Sequence, residues 1–499
     1  MARLADSEPR RSPGDADPEL ASHPLPEPSR PTRSDAVASR ERILRAAAAL
    51  EGDARVTMAE IAAAAGVGRS TLYRHFQTRH SLDRALRAET SPPRQVADAG
   101  RRPGQVVPMP FQAPGHLGRE RPLSLDVTRV LDEVPPHLVP DQLVAEARRA
   151  AGAPVALYVV DIDGSHLLRL AGSEEFPSTL AGPPALGPEI VPEGLPRFYE
   201  RLQQELPGCS GEPLWLRGRV IGILLCVGVP VASLEDIAKQ GAAALELSND
   251  YTDFIEAARR HKPTSPAAEI QQNLFPPRIA RIAGAQLAGL LLPSYEVGGD
   301  WFDFVENRDG AWLAIADAAG TGPTAAGLGA AALGALRAAR RAGHDLEDAL
   351  ALMHETVRRL DNRDFYVTAW VARWHAPAAR LRWVNCGHPN PYLADRDGNV
   401  DELTGQHHAA LGTGDSEPRF EPSERLLSPG ERLILVTDGI TERRTEGGGR
   451  FGSDGVSQAV ADAEDATAAA TAMAIQEAIT NCWREPLEDD GTVVVMAVN

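Results

Sequence analysis

Apolar positions recur at helical spacing in some stretches of this chain and at strand spacing in others. Residues 36–90 carry a helical pattern. Within it Thr57 is a candidate N-cap, and Glu60 three residues on completes a capping box. Ile61 and Ala64 are expected to form a buried stripe, Gly66 to end the helix and Val67 to pack into the turn. A second short helix is expected from about Arg69, which gives helix–turn–helix spacing. Between residues 122 and 262 strands and helices alternate. PVALYVVDIDGSHLLRLAG reads as strand, Asp-Gly hairpin and strand, and EPLWLRGRVIGILLCVG repeats the arrangement with Arg217-Gly218 in the turn. A long helix is expected over residues 233–261, with Leu247, Tyr251, Phe254 and Ala258 on one face, and a shorter one over 267–274. The rest is mixed α/β. One apolar run leads into Gly298-Gly299, one ends at Asp317, one ends at Asp438-Gly439, and the last follows Asp489-Asp490.

Composition divides this pattern into domains. Residues 1–35 hold seven prolines and little apolar content. They cannot bury enough surface to offset their ordering entropy, so a disordered tail is expected. Six prolines and four glycines over residues 91–121 predict a linker. KPTSP at 262–266 is a shorter break. The expected order is tail 1–35, helical domain 36–90, linker 91–121, middle α/β domain 122–262 and C-terminal domain 266–499.

Charge and cysteine usage narrow the function classes. A net charge of −18 argues against nucleic-acid binding by the whole molecule. Residues 36–90 are the exception, with nine Arg against six Asp or Glu. There Arg69, Ser70, Thr71, Tyr73, Arg74 and His75 are of types that bond phosphates or base edges. Cys209, Cys226, Cys386 and Cys482 are far apart and form no CxxC pair, which fits a reducing cytoplasm. The longest apolar run, 220–232, is broken by glycine and Pro230 and is too short to span a bilayer. No hydrophobic segment opens the chain, so no membrane partner is expected.

The acidic positions carry the chemistry. Asp300, Asp317, Asp438 and Asp489 each stand beside glycine or at a strand end. Hard divalent cations take oxygen ligands. Two of them close together can share a water and make it a nucleophile. Any single Asp-Gly pair is also explained as turn punctuation; the four in this order point to a shared site.

The segments EIQQNLFPP, VGGDWFDF, DAAGTG, FYVTAW, NCGHPNPYL, TDGITE and DDGTVVV resemble the PPM-type serine/threonine phosphatases, in the branch of stage II sporulation protein E. The resemblance covers residues 266–499. It implies an α+β fold, a β-sandwich flanked by helices. It implies two Mn²⁺ or Mg²⁺ ions, with Asp317 bridging both, the Ala318 carbonyl and Asp300 on the first, and Asp438 and Asp489 on the second. It implies hydrolysis of phosphoserine or phosphothreonine by metal-activated water. The family usually has Lys or His where this chain has Thr321, a departure expected to affect activity or substrate preference. His388 is either a general acid or a residue that fixes a turn.

GVGRSTLYRHFQTRHSL resembles the DNA-binding domain of the TetR repressors over about 50 residues. The middle domain resembles GAF-type sensors, with a PAS-like domain as the alternative. The combined reading is a phosphatase for a phosphorylated regulatory protein, such as an anti-sigma-factor antagonist, joined to a sensor and a duplex-DNA-binding module. The rival is a TetR-like transcriptional regulator whose phosphatase domain is weakly active or sensory. The apolar face of helix 233–261 is expected to pack on a second copy of the chain, giving a homodimer, or else to cap the sheet of its own domain.

Overall fold

The computed structural model describes residues 42–49, 58–67, 72, 82, 130, 133–292, 298–360, 364–414, 417–463, 465–485, 487 and 489–499. They belong to two compact units, Met1–Gly115 and His116–Asn499. No helix among the described residues is long and apolar enough to cross a membrane.

In the first unit, helix α1 (residues 42–49) and helix α2 (Met58–Ala64) share a small core. Ile43, Leu44 and Ala47 meet Ile61, Ala62, Ala65, Leu72 and Leu82. The expected stripe is corrected here: Ala64 is exposed, and Ala62 and Ala65 accompany Ile61 inward. Gly66 ends the helix in the left-handed region, at φ 63°. Its N–H donates to the Ala63 carbonyl, and the Val67 N–H to that of Ala62. This double closure is a Schellman motif, which favours glycine at its hinge. Thr57 lies outside the described residues, as do the DNA-contact candidates Arg69, Ser70, Thr71, Tyr73, Arg74 and His75, the tail 1–35 and the linker 91–121.

The second unit opens with α3 (Val139–Ala151), followed by a seven-stranded antiparallel sheet. Its strands are β1 (Val155–Val160), β2 (His166–Gly172), β3 (Thr179–Ala181), β4 (Ala185–Leu186), β5 (Glu189–Ile190), β6 (Cys209–Leu216) and β7 (Arg219–Val227). The order is β3-β2-β1-β7-β5-β4, and β6 also pairs with β7. Helix α4 (Leu195–Glu205) lies between β5 and β6 in the chain. All six residues of β1 are buried because both faces of the sheet are covered. Val155, Leu157 and Val159 pack with α3 and with α5 (Glu235–Asn249). Ala156, Tyr158 and Val160 pack with α4. Both expected hairpins form, and Arg217 and Gly218 take φ of 51° and 88°, as a tight turn between twisted strands requires.

The single helix expected over 233–261 is instead two. Helix α5 stops at Asn249, and α6 spans Phe254–Ala258. The reason is local. Ser248 Oγ donates to the Leu245 carbonyl at 2.9 Å, and Thr252 Oγ1 accepts from the Phe254 N–H at 3.2 Å. The run from Ser248 to Asp253 supplies side chains that compete with helical hydrogen bonding. Leu247, Tyr251 and Phe254 are exposed, whereas Ala258 packs against the domain core.

The C-terminal segment starts at α7 (Pro266–Leu274), capped by Ser265. Two six-stranded sheets follow, face to face. The first has β10 (Trp301–Asn307), β11 (Gly310–Ala318), β12 (Val367–His375), β13 (Arg380–Cys386) and β16 (His407–His408) in that order, with β17 (Ser423–Leu426) also on β13. The second runs β15 (Val400–Glu402), β14 (Tyr392–Ala394), β18 (Arg432–Val436), β19 (Gly491–Val498), β9 (Ala285–Leu292), β8 (Ile279–Ile282). Phe302, Ile315, Trp370, Leu435, Val494 and Met496 fill the space between them. Helices α8 (Gly322–Arg341) and α9 (Leu346–Arg358) cover the outer face of the first sheet. Helices α11 (Gly452–Asp462) and α12 (Ala468–Asn481) cover that of the second, and the short α10 (Asp438–Thr441) follows β18. The result is a β-sandwich flanked by helices.

The middle sheet docks on the second sheet of this sandwich. Leu186 and Val191 enter the same apolar cluster as Ile279, Ala288, Leu290 and α12. Glu189, itself buried, accepts from the Ile279 N–H at 2.9 Å and from Arg219 at 2.7 Å. Arg278 is buried beside it with its guanidinium 3.9 Å from the Phe275 ring centre.

Candidate active site

Each sheet delivers acidic residues to one end of the sandwich. Asp300 immediately precedes β10 and Asp317 lies near the end of β11, the two strands being antiparallel neighbours. Asp438 follows β18 at the start of α10, and Asp489 and Asp490 precede β19, again on neighbouring strands. Asp317 departs slightly from expectation: the strand continues through it to Ala318 rather than stopping there. Two glycines let these loops close together. A Cβ on Gly299 would lie 2.0 Å from the Ala318 carbonyl oxygen, and one on Gly439 would lie 1.9 Å from that of Asp490. No side chain fits at either distance.

The carboxylates converge: Asp438 and Asp489 line one hollow, Asp317 and Asp438 another, and Gln271 bridges Asp300 and Asp490. Asp300 is 3% exposed. Burial, then the charges of Asp317 and Asp490, push its carboxyl far above the usual range. Its Oδ2 accepts from Thr437 Oγ1 and Thr492 Oγ1, both at 2.7 Å. Burial raises Asp317 to about 7, helped by Asp438, Asp489 and Asp490. Asp490 is raised to about 6, mainly by burial, with Asp489 adding to it. Asp438 is raised by burial and by the charges of Asp489 and Glu442. Crowded, buried carboxyls of this kind oppose one another's ionisation.

The arrangement contains more than the four acids singled out in the sequence. Asp490 is the fifth, and the Asp-Asp-Gly run was its signal. Gln271, on α7, donates from Nε2 to the Asp300 carbonyl oxygen at 2.7 Å and to Asp490 Oδ2 at 3.1 Å. Thr437 and Thr492 fix Asp300 from the strands beside it. Nothing in a single sequence marks a glutamine over 200 residues from Asp490 as its partner. Ala318 stands next to Asp317, its N–H donating to the Gly299 carbonyl at 3.2 Å.

Two hollows border the acids. One, of about 290 Å³, is lined by Asp438, Gly439, Glu442, Arg443, Arg444, Arg450, Trp483 and Asp489. The other, of about 350 Å³, is lined by Asp317, Thr368, Gly387, His388, Pro389, His407 and Asp438. His388 is buried, and burial holds its imidazole down to about 3. It is therefore a neutral imidazole near pH 7, with one ring N–H, and not an imidazolium general acid. Its backbone N–H bonds Asn385 Oδ1 at 2.8 Å and its Nδ1 lies 3.0 Å from Thr368 Oγ1, which is the work of a turn-fixing residue. Thr321 is exposed at the N-terminal end of α8 and makes no side-chain cap.

Two segments of the chain match known protein families. Residues 307–499 match the stage II sporulation protein E (SpoIIE) family. Residues 43–86 match the bacterial regulatory proteins of the tetR family. Phosphoserine phosphatase RsbU of Bacillus subtilis (strain 168) is 24% identical over 184 residues, which are 36% of this chain and 54% of that protein. The chain thus spans about half the length of this relative. Among solved structures, the SiaA-PP2C domain of Pseudomonas aeruginosa is 22% identical, with 52% of this chain and 100% of that one covered at a TM-score of 0.40. The PP2C phosphatase domain and regulatory fragment of SpoIIE from Bacillus subtilis is 14% identical, with 61% and 74% covered at a TM-score of 0.39. Five carboxylates gather at one end of a two-sheet sandwich, most of which matches the SpoIIE family, on a chain that also carries a segment matching the tetR family.

Proposed function

We propose that the chain is a metal-dependent phosphatase for phosphoserine or phosphothreonine on a regulatory protein. The observation that carries this is the convergence of Asp300, Asp317, Asp438, Asp489 and Asp490 at one end of the sandwich, where burial and neighbouring charges raise the carboxyls of Asp300, Asp317, Asp438 and Asp490. Asp317, Asp438, Asp489 and Asp300, with the Ala318 carbonyl, are the groups that would hold two Mn²⁺ or Mg²⁺ ions. The set is all oxygen, as hard cations require. When bound, the ions supply an activated water and neutralise charge on the phosphoryl group.

The remaining work falls to the chain. Thr437 and Thr492 hold Asp300 in one orientation. Gln271 ties the backbone at Asp300 to Asp490, so the two loops keep their spacing. Arg444 and Arg450 line the hollow beside Asp438 and Asp489 and offer donors to an anionic peptide. Neutral His388 fixes the turn of the second hollow and takes no proton from the reaction. The direct test is turnover of p-nitrophenyl phosphate and of a phosphoserine protein with Mn²⁺ present. Turnover that chelation abolishes supports the reading. Activity that is unchanged by chelation overturns it.

The name of the RsbU relative supports phosphoserine as the substrate class. The complete carboxylate set supports catalysis over a purely sensory role. The middle domain is proposed as a GAF-like sensor. The TetR-type segment is proposed to bind duplex DNA, an idea supported by its family match and its local positive charge. Full-length protein should then bind duplex DNA with affinity that falls steeply as salt rises. Arg69→Ala and Arg74→Ala should each weaken it. An arginine that neutralises one phosphate should, when replaced, make the slope of log K against log salt shallower by about 0.9. Electrophoretic mobility shifts across a salt series measure this. Salt-insensitive binding, or none, would assign the segment to protein contact.

A further inference from the structure

A second cluster of metal-ligating side chains lies outside the phosphatase site. The hairpin between β1 and β2 reads Asp161, Ile162, Asp163, Gly164, Ser165, His166. His261, about 95 residues further on, follows α6 and reaches the same point. Asp161, Asp163, His166 and His261 each present one ligand atom, and the four atoms lie within 4.8 Å of one another. His166 Nδ1 and His261 Nδ1 stand 3.2 and 3.1 Å from the same oxygen, Asp161 Oδ2. His261 Nε2 is 3.8 Å from Asp163 Oδ2. The backbone holds the two segments together, the Ile162 N–H donating to the Arg259 carbonyl at 3.1 Å.

An ordinary Asp-Gly hairpin accounts for part of this. Asp163 Oδ1 accepts from the Ser165 N–H at 3.2 Å, as turn aspartates do. It also gives the buried Asp161 two donors, the His166 N–H to Oδ1 at 3.1 Å and Ser165 Oγ to Oδ2 at 3.2 Å, but it does not require a second carboxylate beside it. Nor does it require two imidazoles, from distant parts of the chain, on one carboxylate oxygen. A dication would offset both carboxylates while leaving both imidazoles neutral.

We propose that these four residues form a site for one borderline divalent transition metal of the zinc class. Two imidazole nitrogens and two carboxylate oxygens are a donor set for such ions, unlike the all-oxygen phosphatase site. Tetrahedral bonds of about 2.0–2.1 Å need the ligands roughly 3.3 Å apart, so the four ligand atoms, now within 4.8 Å, would have to draw in by up to about 1.5 Å, with His261 using one ring nitrogen. The His166 and His261 side chains are 47% and 35% exposed, which leaves an entry path and freedom to rotate. Occupation would pin residues 259–261, the segment leading out of the middle domain, to the hairpin.

The test uses the full chain with Asp317→Asn and Asp438→Asn to silence the phosphatase site. Zn²⁺ is titrated against a chelator, and Co²⁺ is added separately as a visible reporter. One equivalent of Zn²⁺ and tetrahedral Co²⁺ absorption are expected. His261→Gln and His166→Ala should weaken Zn²⁺ by more than the roughly 10–100-fold that loss of a merely orienting group costs. Their metal-free melting temperatures should match the parent. If the histidine variants do not fold, Asp163→Asn decides by the same loss. No Zn²⁺ taken up by the folded parent, or uptake unchanged in folded variants, overturns the proposal.

Discussion

Asp317→Asn and Asp438→Asn are expected to reduce Mn²⁺-dependent hydrolysis of p-nitrophenyl phosphate to background while raising the melting temperature of the metal-free protein. Both effects come from the same crowding. Asp317 is raised to about 7 because burial and three neighbouring carboxylates oppose its ionisation. Asp438 is raised by burial, Asp489 and Glu442. An amide removes a charge that the folded state holds unwillingly, so the fold gains. It removes at the same time a ligand that a cation needs. For a domain of this size, each kcal/mol gained adds roughly 2–4 °C. Near-full turnover in either variant would remove that residue from the ligand set. A lowered melting temperature would mean that its hydrogen bonds matter more than its charge.

Stability of the metal-free protein should fall as pH rises from about 4 to about 7, and Asp317 is the residue that isolates the effect. Its ordinary value is 3.8, and the fold raises it to about 7. In that interval the native carboxyl keeps a proton that the unfolded chain has released. The native state therefore binds more protons, and the unfolding free energy drops with rising pH. The contribution is fully present below about 4 and gone above about 7. Since one pH unit corresponds to about 1.4 kcal/mol and the window spans about three, the change is on the order of 4 kcal/mol. Asp490, raised to about 6, adds to the same trend. Denaturant titrations at several pH values, with Asp317→Asn as reference, measure it. The gap between parent and variant should widen toward pH 7. Excess Mn²⁺ should reverse the trend, because cations bind the ionised form. A gap that stays flat with pH would show that Asp317 ionises normally in the fold.

Much of the site was legible because its acids sit in short, locally defined motifs. Asp438-Gly439 and Asp489-Asp490 announce tight turns at strand ends, and neighbouring strands then do the gathering. What the sequence hid was contact between distant segments. Gln271 meets Asp490 only because α7 crosses the end of the sandwich. Asp490 itself was visible, yet its burial separates it from Asp489 only in three dimensions. The hairpins were legible for a similar local reason. The expected helix over 233–261 divides because apolar spacing, which continues through Tyr251 and Phe254, is not what decides its length. That spacing is silent on the hydrogen bonds by which Ser248 and Thr252 interrupt the helix. The stripe in α2 slips by one or two positions, since alanines mark an inward face poorly.

Glu189 has a bearing on how such chains can be recombined. This one buried carboxylate accepts from the Ile279 N–H of the phosphatase sandwich and from Arg219 of the middle sheet. Around it, Leu186 and Val191 belong to a cluster completed by Ile279, Ala288 and Leu290. The seam between the two halves is therefore drawn through shared side chains rather than at the KPTSP break. A chimera spliced at that break with a foreign input module would leave the Ile279 N–H without its acceptor and expose one edge of the sandwich. Any exchange of the middle domain has to keep a strand equivalent to β5, or rebuild the seam residue by residue.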